Sequence, residues 1–208
     1  MIEAWLWATP NSNRVSILLE ELGLPYTVRP VNIRQREQFA PEVLALNPYG
    51  KIPIVVMDAP QGRQILFESG AILLHLAEAH GRFLPQDTSA RAEVVTWLML
   101  VLTGLAPLMG QAHHWTDLAP EKPRAAIDHT VSAVVRVRTV IDERLDASRY
   151  LGAEYSIADI AAFPWLTRLG WAGLDLAQFP HIDRWHREIR ARPAVQRGMA
   201  VPTGAKLE

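Results

Sequence analysis

The stretch IEAWLWATPNSNRVSILLEELGLPYTVRPV, residues 2–31, decides the fold. Residues 2–7 are apolar and alternate like a short strand. Thr9-Pro10-Asn11-Ser12 then supplies turn and N-cap residues directly before a helical pattern. Within residues 14–22, Val15, Ile17, Leu18, Leu19 and Leu22 recur at helical spacing, and Gly23 stands where a left-handed C-cap would end the helix. A strand pattern resumes over residues 25–31. Strand, helix and strand within about thirty residues make a β-α-β unit.

Residues 34–47 are mixed and partly helical, ending in the turn Asn47-Pro48-Tyr49-Gly50. IPIVVM (52–57) and QILF (64–67) flank Asp58-Ala59-Pro60-Gln61-Gly62 as a hairpin would. Glu68-Ser69-Gly70 precedes AILLHLAEAHG (71–81), in which Ser69 can cap a helix that Gly81 ends. The order β-α-β-α-β-β-α describes a thioredoxin-like sheet domain over residues 1–82. Residues 83–88 read as a linker. Beyond it, helix-period segments near 89–109, 123–145, 156–170 and 182–191 are each bounded by Pro, Gly or a capping residue. Residues 89–202 therefore read as an all-α bundle, giving an α/β domain followed by an all-α one.

Composition excludes several functions. With 21 Lys and Arg against 22 Asp and Glu, the 208-residue chain has no global field for a nucleic-acid backbone or an anionic membrane. The N-terminus carries Glu3 and Pro10 in place of a basic, uninterrupted leader, and the apolar run at 97–102 is short against a bilayer, so a cytoplasmic location is expected. There is no cysteine, which removes disulfides, thiolate metal sites and a protein thiol nucleophile. If thiol chemistry happens, a ligand brings the thiol.

Three segments carry candidate chemistry. The helix N-terminus at Thr9 and Asn11 offers partial positive charge and side-chain donors to an anion such as a thiolate. Lys51-Ile52-Pro53 enters a strand, and an extended backbone there can pair with a peptide ligand. At Glu68-Ser69, the hydroxyl suits a carboxylate and the acid suits an ammonium. Taken singly, each is equally explained as a turn, a strand start or an N-cap. Together they offer a thiolate cradle, a backbone ladder and a carboxylate/ammonium clamp, the parts needed to hold γ-Glu-Cys-Gly.

TPNSNRVSILLEELGLPY (9–26), NPYGKIPIVV (47–56), LFESGAILLHLAE (66–78) and YSIADIAAFPW (155–165) resemble the cytosolic glutathione transferases, over about residues 1–193. Within that family the chain is most similar to the bacterial Nu-class, disulfide-bond-oxidoreductase-like branch. The resemblance implies that Thr9 and Asn11 face the sulfur, that Gln38 and Lys51 contact the tripeptide, that Ile52 pairs with it before a cis Pro53, and that Glu68 and Ser69 hold its γ-glutamyl end. It implies glutathione, reduced or oxidised, as co-substrate, no metal, disulfide reduction with modest conjugating or peroxidase activity, and a homodimer. A basic residue from the partner subunit is also implied, with His129, Arg136 and Arg138 as candidates.

Other features have local readings. Ser156-Ile157-Ala158-Asp159 fits a capping box, which makes Asp159 a folding residue. The adjacent His113 and His114 point to different sides of a helix and have no third ligand at useful spacing, which argues against a metal site. Gln111, His114 and Trp115, with Trp7, are candidates to line a second-substrate cleft, and Trp165 and Trp171 are further ones. A scaffold of this kind that binds glutathione or an apolar ligand without turnover is the alternative that sequence leaves open.

Overall fold

Alternation in the first strand sorts its side chains onto two faces. Ala4 and Leu6 are wholly buried on one, while Trp5 joins Val31, Val43, Ile54 and Val56 in a cluster on the other. The structure, a computed structural model, describes residues 1–60 and 62–203, with Leu169 by its backbone alone; Gln61 of the expected hairpin loop lies outside them. It divides into two compact units, Phe83–Arg190 and a first unit made of Met1–Arg82 with the residues from Ala191 onward.

The first unit is built on a four-stranded sheet. Strand β1 (Ile2–Leu6) leads into helix α1 (Pro10–Leu22) and then β2 (Thr27–Pro30), which lies parallel to β1. After 3₁₀ turns at Ile33–Gln35 and Glu37–Phe39 come α2 (Pro41–Leu46), β3 (Ile54–Ala59), β4 (Gly62–Phe67) and α3 (Ser69–His80). Strands β3 and β4 add antiparallel, giving the order β2-β1-β3-β4. Helix α1 starts and stops as its residues dictate: the Thr9 hydroxyl accepts from the Ser12 N–H, Pro10 occupies the first turn, and Gly23 ends the helix at φ 69°.

Helix α1 is buried beyond its apolar stripe, with Asn13, Arg14 and Ser16 at most 2% exposed. Asn13 and Ser16 are covered by a final helix, α9 (Pro193–Met199), which belongs to the first unit and not to the bundle expected over 89–202. The Gly198 carbonyl accepts from Ser16 Oγ at 2.6 Å and from Asn13 Nδ2 at 3.3 Å. Arg192 holds both carboxylate oxygens of Glu21, at 2.6 and 2.9 Å, and Arg197 holds Glu20 at 2.6 Å. These bonds satisfy part of the C-terminal end of α9 and fix it to α1.

The second unit contains α4 (Thr88–Met99), α5 (Ala106–His113), α6 (Arg124–Ala147), α7 (Ile157–Leu166) and α8 (Pro180–Arg190). The helix expected near 89–109 is two helices joined by a π-helical turn at Leu100–Leu105, and a second π turn follows at His114–Leu118. The resulting helical path, Thr88–Leu118, is 31 residues long with a mean hydropathy of 1.7 over its most apolar window, so by length and composition it could cross a membrane. The apolar path is thus longer than residues 97–102 alone. Val94, Leu98, Val101, Leu105, Met109 and Ala112 are buried, as on a bundle's core helix. The capping box at α7 is present. Asp159 accepts from Leu151 N–H and Trp185 Nε1–H on one oxygen and from the Ser156 N–H and hydroxyl on the other. Burial raises its pKa to about 6 against the pull of those four bonds.

A Cβ at position 198 would stand 2.5 Å from Ile17 Cα and 2.6 Å from its nitrogen, backbone atoms that no rotamer change can move. Gly198→Ala is expected to cost about 1–3 kcal/mol by overpacking, read as a lower urea midpoint. An unchanged midpoint would show that α9 is not held as described.

Candidate functional site

Strand register gathers the three candidate segments at one end of the sheet. Trp5, near the end of β1, pairs with Ile54 at the start of β3, and Ile54 pairs with Phe67 at the end of β4. Chain leaving β1 therefore enters the Trp7–Asn11 turn beside Ile52-Pro53 and beside Glu68-Ser69. Val31, just past β2, donates its N–H to the Leu6 carbonyl at 2.9 Å, which brings the approach to Gln38 to the same end.

At the α1 N-terminus, the Thr9 hydroxyl accepts from Ser12 N–H at 3.2 Å and donates to Ser12 Oγ at 3.1 Å, while Trp7 N–H reaches the same Oγ at 3.3 Å. The turn is thus closed around the buried Ser12. One turn into the helix, Arg14 Nη1 donates to Asn11 Oδ1 at 2.8 Å and to Ser69 Oγ at 3.1 Å. Burial lowers the Arg14 pKa to about 9, with the Glu68 charge working against the fall, so the guanidinium is still charged at neutral pH. Its charge and the helix N-terminus both favour an anion here.

The Ile52-Pro53 bond is cis. Ile52 packs partly buried against the Val31 cluster, and Lys51 lies exposed over the Tyr49 ring, with Nζ 4.1 Å from its centroid and 3.0 Å from its hydroxyl. Gln38 sits in the Glu37–Phe39 turn with a buried Oε1 that has no hydrogen-bond partner, and the buried indole N–H of Trp7 has none either. Glu68 is exposed at φ 69°, ψ 113°, a backbone conformation that disfavours side chains, and Ser69 is 6% exposed as the first residue of α3.

In the second unit, Gln111 and His114 are exposed, and Trp115 meets the His114 ring edge-on at 4.7 Å. His113 contacts Asp117 at 2.9 Å and stacks on Trp171 at 4.0 Å; Trp165 packs against Trp171 at 6.1 Å. Among the described residues, no group of three or more His, Cys, Asp or Glu is placed to hold a metal. Of the basic candidates for a partner-subunit contact, His129 and Arg136 are exposed on α6. Arg138 is wholly buried against Met109 and Phe179, which removes it.

A thioredoxin-like sheet unit with these segments at one end, in a chain with a multi-helix second unit, is the architecture of the glutathione transferases. Residues 8–79 match the model of the glutathione S-transferase N-terminal domain and residues 97–193 that of the C-terminal domain. The chain belongs to the glutathione S-transferase family. It is 41% identical to the disulfide-bond oxidoreductase YfcG of Escherichia coli, covering 93% of this chain and 92% of that one. A Burkholderia graminis glutathione transferase, solved with two glutathione molecules per subunit, superposes with a TM-score of 0.91 at 36% identity, covering 98% and 89% of the two chains. One from Pseudomonas putida, solved with one glutathione disulfide per subunit, gives 0.93 at 36% identity, covering 97% and 91%.

Sequence reasoning missed Arg14. The available signal was its spacing, three residues after Asn11 and four before the buried Leu18, which puts a cation on a buried helix face. The meeting with Ser69, 55 residues away, has no local signature.

Relieving the Glu68 backbone tests whether the site stores strain. Glu68→Gly is expected to raise stability by about 1 kcal/mol in urea unfolding, relief of strain outweighing the entropy of glycine. A lower midpoint would contradict a strained Glu68.

Proposed function

We propose that this chain is a glutathione-dependent enzyme that holds the tripeptide at the end of the sheet of the first unit and uses its thiolate to reduce a disulfide or attack an electrophile. The observation that carries the reading is the convergence of the α1 N-terminus, Ile52-Pro53 and Ser69, with Arg14 bonded to both Asn11 and Ser69. Thr9 and Asn11 stabilise the sulfur, the Ile52 backbone pairs with the cysteinyl residue, Gln38 and Lys51 contact the tripeptide, and Glu68 and Ser69 hold its γ-glutamyl end. For the second substrate, Trp7 of the first unit and Gln111, His114 and Trp115 of the second are the proposed contacts.

The chemistry belongs to glutathione, because the chain has no cysteine of its own. A bound thiolate attacks one sulfur of an acceptor disulfide, forming a mixed disulfide and expelling the other sulfur as a thiolate that takes up a proton. A second glutathione thiolate attacks the glutathionyl sulfur of the mixed disulfide, releasing the remaining acceptor thiol and oxidised glutathione. The relatives solved with two glutathiones or with one glutathione disulfide correspond to the reductant and the product of such a reaction. The protein orients the reactants and stabilises negative charge on sulfur. Lowering a thiol pKa from about 8.5 to about 6.5 raises the thiolate at pH 7 from a few per cent to most of the population. A cytoplasmic setting, where glutathione is kept reduced, and a homodimer belong to the same proposal.

Thr9→Ala is expected to cut turnover with hydroxyethyl disulfide at least about tenfold, and loss of the cap to cost about 1 kcal/mol of stability; Thr9→Ser should keep most of both. Wild-type turnover in folded Thr9→Ala would remove Thr9 from the mechanism. Tight glutathione binding by the wild type with no turnover on hydroxyethyl disulfide, chlorodinitrobenzene or cumene hydroperoxide would make the chain a binding protein.

A further inference from the structure

We infer that Arg14 is a positioning residue that turns two ligand-facing groups into donors at once, the Asn11 carboxamide and the Ser69 hydroxyl. This inference rests on the glutathione reading above and deepens it.

A terminal guanidinium nitrogen carries two hydrogens and no acceptor. Nη1 of Arg14 reaches Asn11 Oδ1 at 2.8 Å and Ser69 Oγ at 3.1 Å, one hydrogen for each. Because the guanidinium can only donate, the Asn11 atom facing it must be the oxygen, and the NH₂ end of the carboxamide is turned away from Arg14. A thiolate is purely an acceptor and is served by the NH₂ end. A half-turn of the amide would present oxygen to sulfur, a repulsive contact. The same reasoning holds at Ser69: a lone pair of Oγ is occupied by Nη1–H, so the hydroxyl hydrogen points elsewhere and can serve a carboxylate.

The arrangement is rigid for physical reasons. Arg14 is 2% exposed and Ser69 6% exposed, so these bonds form away from competing water. Asn11 lies three residues before Arg14 on one helix, the spacing that lets their side chains meet. Ser69 belongs to α3, so a single nitrogen links the sulfur end of the site to the γ-glutamyl end. A cation acting only through its charge would favour the thiolate whatever stood at positions 11 and 69. A cation acting through Asn11 and Ser69 would not.

That difference is measurable by calorimetry of glutathione binding and ultraviolet titration of the bound thiol. The proteins needed are wild type, Arg14→Met, Arg14→Lys, Asn11→Ala, Ser69→Ala, and the two double variants that add Arg14→Met to the alanine changes. Arg14→Met is expected to raise the thiolate pKa by about one unit and the Kd about tenfold. Arg14→Lys should restore most of both, since an ammonium has hydrogens for both partners. Arg14→Met should add little to the thiolate pKa once Asn11 is alanine, and little to the Kd once Ser69 is alanine. Full additive losses in those backgrounds, or wild-type values in Arg14→Met, overturn the inference. If Asn11→Ala and Ser69→Ala shift their readouts while Arg14→Met does not, the inference alone falls. If neither alanine variant shifts anything, the glutathione reading falls with it. Should Arg14→Met fail to fold, Arg14→Leu, which likewise has no hydrogen to donate, enters the same cycles under the same criteria.

Discussion

The position of α1 is the constraint on which the rest of the first unit depends. Its N-terminal turn is closed by Thr9 and Ser12, its first turn is tied through Arg14 to the start of α3, and its middle and end are fixed to α9 by Ser16, Glu20 and Glu21. A helix free to slide by one residue would move its N-terminus by about 1.5 Å. That is enough to spoil an oriented sulfur contact. The wholly buried residues around Ile17 and the carbonyl of Gly198 keep it in register.

Function follows from division of labour. The sheet supplies a fixed edge, since pairing of Trp5 with Ile54 and of Ile54 with Phe67 leaves the three loops no choice about where they emerge. The helix N-terminus and Arg14 supply positive charge, and the register of β3 and β4 places Ile52-Pro53 and Glu68-Ser69 at the same edge. No group of the protein is a thiol nucleophile, so the scaffold acts on a sulfur it does not own.

Much of this was legible in residues 2–31 and 52–81, where apolar period, Thr9, Pro10, Gly23, Ser69 and Gly81 mark elements through local physics. The candidate segments could be named because turn and cap residues carry their own signatures. What escaped was long-range or contextual. Residues 193–199 have no local feature that assigns them to the sheet unit; their place is decided by Gly198 fitting against Ile17 and by two arginine–glutamate pairs more than 170 residues apart in sequence. The π turns at Leu100–Leu105 and His114–Leu118 leave the apolar pattern helical while lengthening the path, so the run at 97–102 understated it. Arg138, a candidate for the partner-subunit contact, is in the core, which a helical pattern of alternating Val and Arg over 134–138 does not reveal.

The proposed chemistry depends on the α1 N-terminus holding a ligand's sulfur as a thiolate. Ultraviolet difference titration of glutathione bound to the wild-type protein tests it most directly. The expected result is a thiol pKa about two units below that of the free thiol near 8.5. A bound thiol that titrates with the free one would contradict it.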